Sequence, residues 1–268
     1  SPEKQAGKIV FDEIKRIENL LSKYKENSEI SQLNKNGVLR ASPETFFIMQ
    51  KSKQFWLDSN GAFDVTVGPL MDIWGFTNKD YSWPSGDEIK NALKKTGFDK
   101  IILNNSDNLI KFKVPGMKVD LGGIAKGFAL DCAVKKLNQA GVKDCLINAG
   151  GQIYCLGTRL GKHWAIGIQD PRRNGYLSKI ELFNQAIATS GDYQQYFEKD
   201  KKRYSHIMDP KEGRPVDSGV ISVTIIASDS LTADALSTAV FVLGKEKSKN
   251  LLNIYSKAKA EIIYQETQ

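Results

Sequence analysis

Between residues 8 and 25, Ile9, Val10, Ile14, Ile17, Leu20 and Leu21 recur at helical spacing, which predicts a helix with one apolar face. The following stretch, SKYKENSEISQLN at 22–34, carries polar turn chemistry and holds Tyr24 at the helix exit. A second helix is predicted over 42–61: Ser42 can cap it, Pro43 suits its first position, and Phe46, Met49 and Trp56 follow. Residues 61–76, GAFDVTVGPLMDIWGF, mix glycine and aromatics with the acids Asp64 and Asp72. They read as a turn with short extended pieces, either beside a cleft or as a tightly packed loop.

Further along, the pattern predicts a helix at 87–98, strands at 100–103, 109–112 and 118–121, and a helix at 124–139. Strands then come in a run, at 144–148, 153–156, 163–168, 178–183, 186–189, 203–207 and 220–227. Helices at 230–242 and 245–257 and a last strand at 260–264 complete the reading. Strands in runs between groups of helices predict an α+β fold.

With 268 residues, 41% hydrophobic and 26% charged, the chain can bury a full core as one large domain or two intimate ones. No window approaches the ~18 uninterrupted apolar residues of a membrane span, and Ser1 begins in polar sequence, so a soluble chain without a signal segment is expected. The net charge of +7 is spread, as in Lys8, Lys15, Arg16, Lys23 and Lys25, rather than gathered beside stacking aromatics, which argues against nucleic acid as a partner. Cys132, Cys145 and Cys155 lack metal-site spacing and read as buried thiols. With only His163 and His206, a multi-histidine centre is excluded and any divalent metal needs oxygen ligands, which favours magnesium or calcium.

The densest chemistry lies at 119–131, VDLGGIAKGFALD. Val119 and Leu121 alternate about Asp120 as at a strand end, Gly122 and Gly123 leave the backbone open to a ligand, and Lys126 falls in the first turn of a helix, where free N–H groups meet anions. Lys126 either meets such an anion or is merely solvated. Neither GxxxxGK[ST] nor a helix-opening GxGxxG is present, against a P-loop ATPase or a Rossmann dehydrogenase. In 228–244, SDSLTADALSTAVFVLG, Asp234 and Thr238 share one helical face, with Ser237 close by; alone, they read as ordinary surface residues. Combined with the open carbonyl of Gly123, they supply three oxygens of a magnesium shell that phosphate oxygens and waters would complete. His206, in YSHIMDP at 204–210, is displayed before an Asp-Pro turn, either to contact phosphate or move a proton or as a structural histidine. His163 reads as structural.

Taken in order, GAFDVTVGPLMDIWGF, VDLGGIAKGFALD, INAGG, AIATSGDY, YSHIMDP and SDSLTADALSTAVFVLG resemble the ApbE-type flavin transferases, the FAD:protein FMN transferase family, across nearly the whole chain. The resemblance implies one large domain over 1–268, made of two intimately packed α/β subdomains with mostly antiparallel sheets and the active site between them. It implies an enzyme that binds FAD with Mg²⁺, cleaves the pyrophosphate, attaches FMN to a threonine or serine of an acceptor flavoprotein of respiratory type, and releases AMP. An FAD pyrophosphatase and a non-catalytic flavin-binding protein are the alternatives. By position it implies FAD contacts at Tyr24, Ala62, Phe63, Asp64, Asp120, Lys126 and His206, and metal ligands at the Gly123 carbonyl, Asp234 and Thr238, with Ser237 at a variable metal-site position. Lys126 would neutralise pyrophosphate charge, and the base is open between His206 and Asp120. Two departures stand out: an amino-terminal strand with a Met-Gly-Thr-like flavin contact is absent, and Gln152 follows INAGG where an acid or Asn is common. The family further implies an extracytoplasmic setting, with membrane attachment only through an N-terminal lipid anchor upstream of this sequence.

Overall fold

Capping residues and apolar spacing account for most of the helices in the computed structural model, which describes residues 2–265. The first helix, α1 (Pro2–Leu21), buries Ile17 and Leu21 as its periodicity predicts. Ser42 caps α3 (Pro43–Asp58) by accepting the Thr45 N–H, and Ser85 and Glu88 form a reciprocal capping box on α5 (Gly86–Leu93). Two short helices depart from the sequence reading. In the stretch read as turn, α2 (Glu29–Asn36) is capped by Ser28, closed by Gly37 at φ 71°, and buries Ile30 and Leu33. Within 61–76, α4 (Gly68–Ile73) replaces the expected extended pieces. Eight and six residues are too few for a helical period to show.

Three strands, β1 (Val38–Arg40), β2 (Ile101–Asn104) and β3 (Leu109–Phe112), form an antiparallel sheet in the order β1-β3-β2. Then come α6 (Ala125–Gln139), β4 (Cys145–Ala149), β5 (Gln152–Leu156), and the hairpin β6 (Trp164–Gln169) and β7 (Tyr176–Leu182). Next are β8 (Gln185–Gly191), the hairpin β9 (Tyr196–Lys199) and β10 (Lys202–Ser205), the short pair β11 (Met208–Asp209) and β12 (Arg214–Pro215), and β13 (Val220–Ala227). The chain closes with α7 (Ser230–Ile254) and β14 (Lys259–Tyr264). The main sheet runs β14-β13-β8-β5-β4, antiparallel throughout. The α+β class with antiparallel sheets therefore holds.

The two helices predicted at 230–242 and 245–257 form one element broken at Gly244, whose φ of 69° is non-helical. Residues 118–121, expected as a strand, join no sheet. The Asn34 side chain takes both the N–H and the carbonyl of Val119, at 2.7 and 2.9 Å, and Asp120 N donates to the Val65 carbonyl at 2.7 Å. Extended backbone is thus satisfied without a strand partner.

One buried core joins Leu21, Leu33, Met49, Ile110, Phe128, Val223 and Leu236, so both sheets and α1, α3, α6 and α7 share it. Helix α7 lies on β8 and β13 and also packs against α6, which in turn meets α1. Cys155 is buried, whereas Cys132 and Cys145, expected to be buried, are half-buried because both sit at the edge of the packing; all three are free thiols. No helix among the described residues is long and apolar enough to cross a membrane.

Candidate functional site

A cavity of about 350 Å³ opens where the start of α6, the middle of α7, the 61–67 loop and the approach to β11 meet. Its lining includes Tyr24, Ala62, Phe63, Asp64, Asp120, Gly123, Lys126, His206, Asp234 and Thr238, so residues from five separated segments converge as the sequence reading expects. Ser237 alone of the candidates does not line it. Helical geometry turns Ser237 toward the sheet, where its hydroxyl lies 2.8 Å from that of Ser190 and donates to the Asp234 carbonyl at 2.8 Å. It braces the turn of α7 that presents Asp234.

Where α6 and α7 meet at the cavity, Asp234 is 3% exposed and its Oδ2 accepts the Gly127 N–H at 3.0 Å. Burial pushes its carboxyl up to about 6, against the pull of Lys126 and the Gly127 bond. Thr238 stands one turn on, and a Cβ placed on Gly123 would lie 3.0 Å from its Oγ1 and 3.4 Å from Phe63. A side chain here would crowd both, so glycine leaves room where residue 123 lines the cavity beside Asp234 and Thr238. A buried carboxylate, a hydroxyl and an open carbonyl form an all-oxygen donor set fit for a hard divalent cation. Gln152 is buried beside Asp234, and its Oε1 has no hydrogen-bond partner.

In the 61–67 loop, Asp64 Oδ1 accepts from Thr66 N at 2.8 Å and Thr66 Oγ1 at 2.6 Å, yet burial still lifts its carboxyl to about 6. Ser59 Oγ accepts the Phe63 N–H at 2.9 Å and fixes the turn that brings in Ala62 and Phe63. Tyr24, 68% exposed, stands at the rim. Lys126 is exposed in the first turn of α6, with no hydrogen bond or ion pair among the described residues, so its charge is available to an anion.

The two candidate bases differ in what they have free. Asp120 Oδ1 accepts the Gly122 N–H at 2.9 Å, and Oδ2 pairs with Lys23 Nζ at 2.8 Å. His206 Nδ1 lies 3.1 Å from the Gln195 carbonyl, which can only accept, so Nδ1 carries the hydrogen. Burial lowers the His206 pKa, with a smaller contribution from Lys126, and keeps the ring neutral with the Nε2 lone pair free. The β9–β10 hairpin delivers this ring: Gln195 and His206 flank it, and Phe197 packs on Phe76 and Tyr81 at 5.8 and 5.4 Å.

Sequence reasoning missed Lys23, whose ammonium also reaches Thr77 at 3.3 Å, and it missed Ser190, Gln194 and Gln195 of the lining. All lie in or beside motifs quoted above, the only signal pointing to them. His163 lies outside the cavity and stacks on Phe183 at the surface. A second cleft, of about 210 Å³ and mostly apolar, runs along α1 and shares Tyr24, Asp120, Gly122 and Lys126 with the first. Elsewhere, Glu13, Glu44 and Cys132 approach one another, but Arg16 bonds both carboxylates at 2.7 and 2.6 Å and occupies their oxygens.

The model of the ApbE family matches residues 3–263. Among characterised proteins, the chain is 35% identical over 259 residues to the FAD:protein FMN transferase of Haemophilus influenzae, covering 90% of this chain and 75% of that protein. It is 33% identical over 243 residues to the enzyme of the same name from Escherichia coli, covering 87% and 69%. Among solved structures, the ApbE protein of Thermotoga maritima superposes with a TM-score of 0.90 at 38% identity, covering 98% of this chain and 89% of that one. The apo form of the flavinyl transferase ApbE of Pseudomonas stutzeri gives 0.89 at 30% identity, covering 99% and 84%.

Proposed function

Since the chain belongs to the ApbE family, we propose that it is an FAD:protein FMN transferase that works with Mg²⁺, attaches FMN through a phosphoester to a threonine or serine of an acceptor flavoprotein, and releases AMP. The observation that carries this reading is the meeting in one cavity of a free lysine, a neutral histidine with an open Nε2, and three oxygen donors on one wall.

In the reaction, the acceptor hydroxyl oxygen forms a bond to the flavin-side phosphorus, the bond from that phosphorus to the bridging oxygen breaks, and AMP leaves with the bridging oxygen. His206 Nε2 takes the hydroxyl proton. Asp120 is unsuited to that role because both its oxygens are engaged, and it serves instead to hold Lys23 and the Gly122 turn at the rim. Lys126 binds the pyrophosphate and offsets the charge that builds on it, in a part-enclosed site where such an interaction is stronger than in water. The Gly123 carbonyl, Asp234 and Thr238 would hold Mg²⁺, which when bound supplies further neutralisation of phosphate charge. Tyr24, Ala62, Phe63 and Asp64 line the remaining wall, and the adjoining apolar cleft gives a flat ring system room to extend past Tyr24. The acceptor in this proposal is a respiratory-type flavoprotein met outside the cytoplasm, as the family resemblance implies.

Incubation with FAD, Mg²⁺ and a threonine peptide of the acceptor type tests the reading. Release of AMP with a peptide adduct of FMN mass, both abolished by EDTA, is the expected result. AMP with free FMN and no adduct would replace transfer by pyrophosphatase activity, and intact FAD would leave only a flavin-binding protein.

A further inference from the structure

Helix α7 has two carboxylates at its N-terminus, and they do different things. Asp229 is its own cap and accepts the Thr232 N–H at 2.8 Å. Asp131 belongs to α6, does not line the flavin cavity, and takes the next two free amides: Ser230 N–H at 2.7 Å on Oδ1 and Leu231 N–H at 2.9 Å on Oδ2. The first turn of a helix leaves such donors open, and a carboxylate there is favoured by the helix dipole as well. Because Asp131 reaches in from another helix, its two bonds tie α7 to α6.

The tie falls where the helices are closest. A Cβ added at Gly127 would lie 2.3 Å from the Ser230 carbonyl oxygen, so only glycine lets the backbones approach this far. The same Gly127 donates its N–H to Asp234 Oδ2. Asp131 lies two turns along α6 from Gly123, and Asp234 lies one turn along α7 from Ser230. The cation-binding oxygens are thus divided between two helices, with the Gly123 carbonyl on the α6 side and Asp234 and Thr238 on α7. What sets their separation is the register of one helix on the other.

We propose that Asp131 is a positioning residue for the cation site: by bonding the first two amides of α7, it fixes the register that brings the Gly123 carbonyl to the Asp234 and Thr238 oxygens. This rests on the reading of those three groups as the cation site. Asp229 cannot substitute for it, since its bond lies within α7 and leaves the helix free to shift as a unit.

The test is Mn²⁺ binding to the purified chain, followed by the electron paramagnetic resonance of the free ion, with the Mg²⁺ requirement of FAD cleavage measured alongside. Asp131→Asn keeps one acceptor and sets an amide NH₂ against a backbone N–H. It should weaken Mn²⁺ binding by about 10- to 100-fold, the range for losing a group that supports a metal ligand, and raise the Mg²⁺ needed for half-maximal rate while kcat at saturating Mg²⁺ is largely kept. Asp229→Asn, which weakens the cap without touching the tie, should leave Mn²⁺ binding unchanged. Should Asp131→Asn not fold, Asp131→Glu keeps both acceptors and the charge but displaces them by one methylene, and it should weaken binding in the same direction. Wild-type affinity in a folded Asp131 variant, or equal losses in the Asp131 and Asp229 variants, would overturn the proposal. Failure of the unmodified chain to bind Mn²⁺ would instead remove the cation-site reading beneath it.

Discussion

Lys23 and Asp120 form an ion pair of 2.8 Å at the junction of the two clefts, with side chains only 11% and 14% exposed. Burial alone would lower the Lys23 pKa, but the Asp120 charge and hydrogen bond outweigh it and raise it. Removing the lysine leaves a mostly buried carboxylate with one backbone donor. Lys23→Met should therefore destabilise the fold by about 1–3 kcal/mol and raise KM for FAD, and adding Asp120→Asn should recover part of the stability. Denaturant melts of the single and double variants check it; additive losses would show that the two groups are not coupled.

Lys126 faces the cavity without a partner among the described residues, so its loss costs the fold little. Lys126→Ala should keep the melting temperature and lower kcat/KM for FAD by about 10²- to 10³-fold, as for a charge-stabilising donor removed from an active site. A change in melting temperature without a change in turnover would contradict this.

Asp234→Ala deletes the carboxylate proposed as a cation ligand and leaves the apolar packing of α7 around it in place. Metal-dependent FAD cleavage should fall to near background while far-ultraviolet circular dichroism is retained. Wild-type turnover at limiting Mg²⁺ would refute the assignment.

His206 accepts a proton only while neutral, and its pKa lies below the ordinary 6.5 because burial disfavours the charged ring. Transfer should accordingly be flat through neutral pH and fall only on an acid limb below ~6.5. His206→Asn should abolish that limb along with most of kcat. The kcat profile at saturating Mg²⁺ is the measurement, and a limb that survives in the variant would assign it to another group.

Burial lifts the Asp64 carboxyl from the ordinary 3.8 to about 6, so between those values the native chain holds more protons than the unfolded one. Stability from this group is then full below pH ~4 and declines as pH rises toward ~6, by roughly 2–3 kcal/mol at one unit per 1.36 kcal/mol. Asp64→Asn should flatten that part of the pH dependence of urea midpoints, leaving the share contributed by Asp131 and Asp234, which are raised to the same range. An unchanged slope would mean that Asp64 stays ionised in the fold.

The long amphipathic helices were legible along the chain because fifteen or more residues of α1, α3 and α6 repeat an apolar face and Ser42 announces its own cap. Short elements were not. The pair Ile30 and Leu33 in α2 is too sparse to show a period, and residues 118–121 alternate like a strand although Asn34 and Val65 replace the sheet partner.

Residue type and spacing alone already set which groups the proposed site can offer: oxygens rather than a cluster of histidines or cysteines, a pair of glycines before a helix, and a lysine in its first turn. These follow from residue type and local spacing, which tertiary packing does not alter. Which of those groups are free to act depends on packing between segments far apart in the chain. Lys23 engages Asp120 from 97 positions away, Asp131 reaches Leu231 across 100, and Ser237 turns from the cavity toward Ser190. Hydrogen-bond occupancy and burial are set by neighbours distant in the chain, and they determine whether a carboxylate serves as base, ligand or brace.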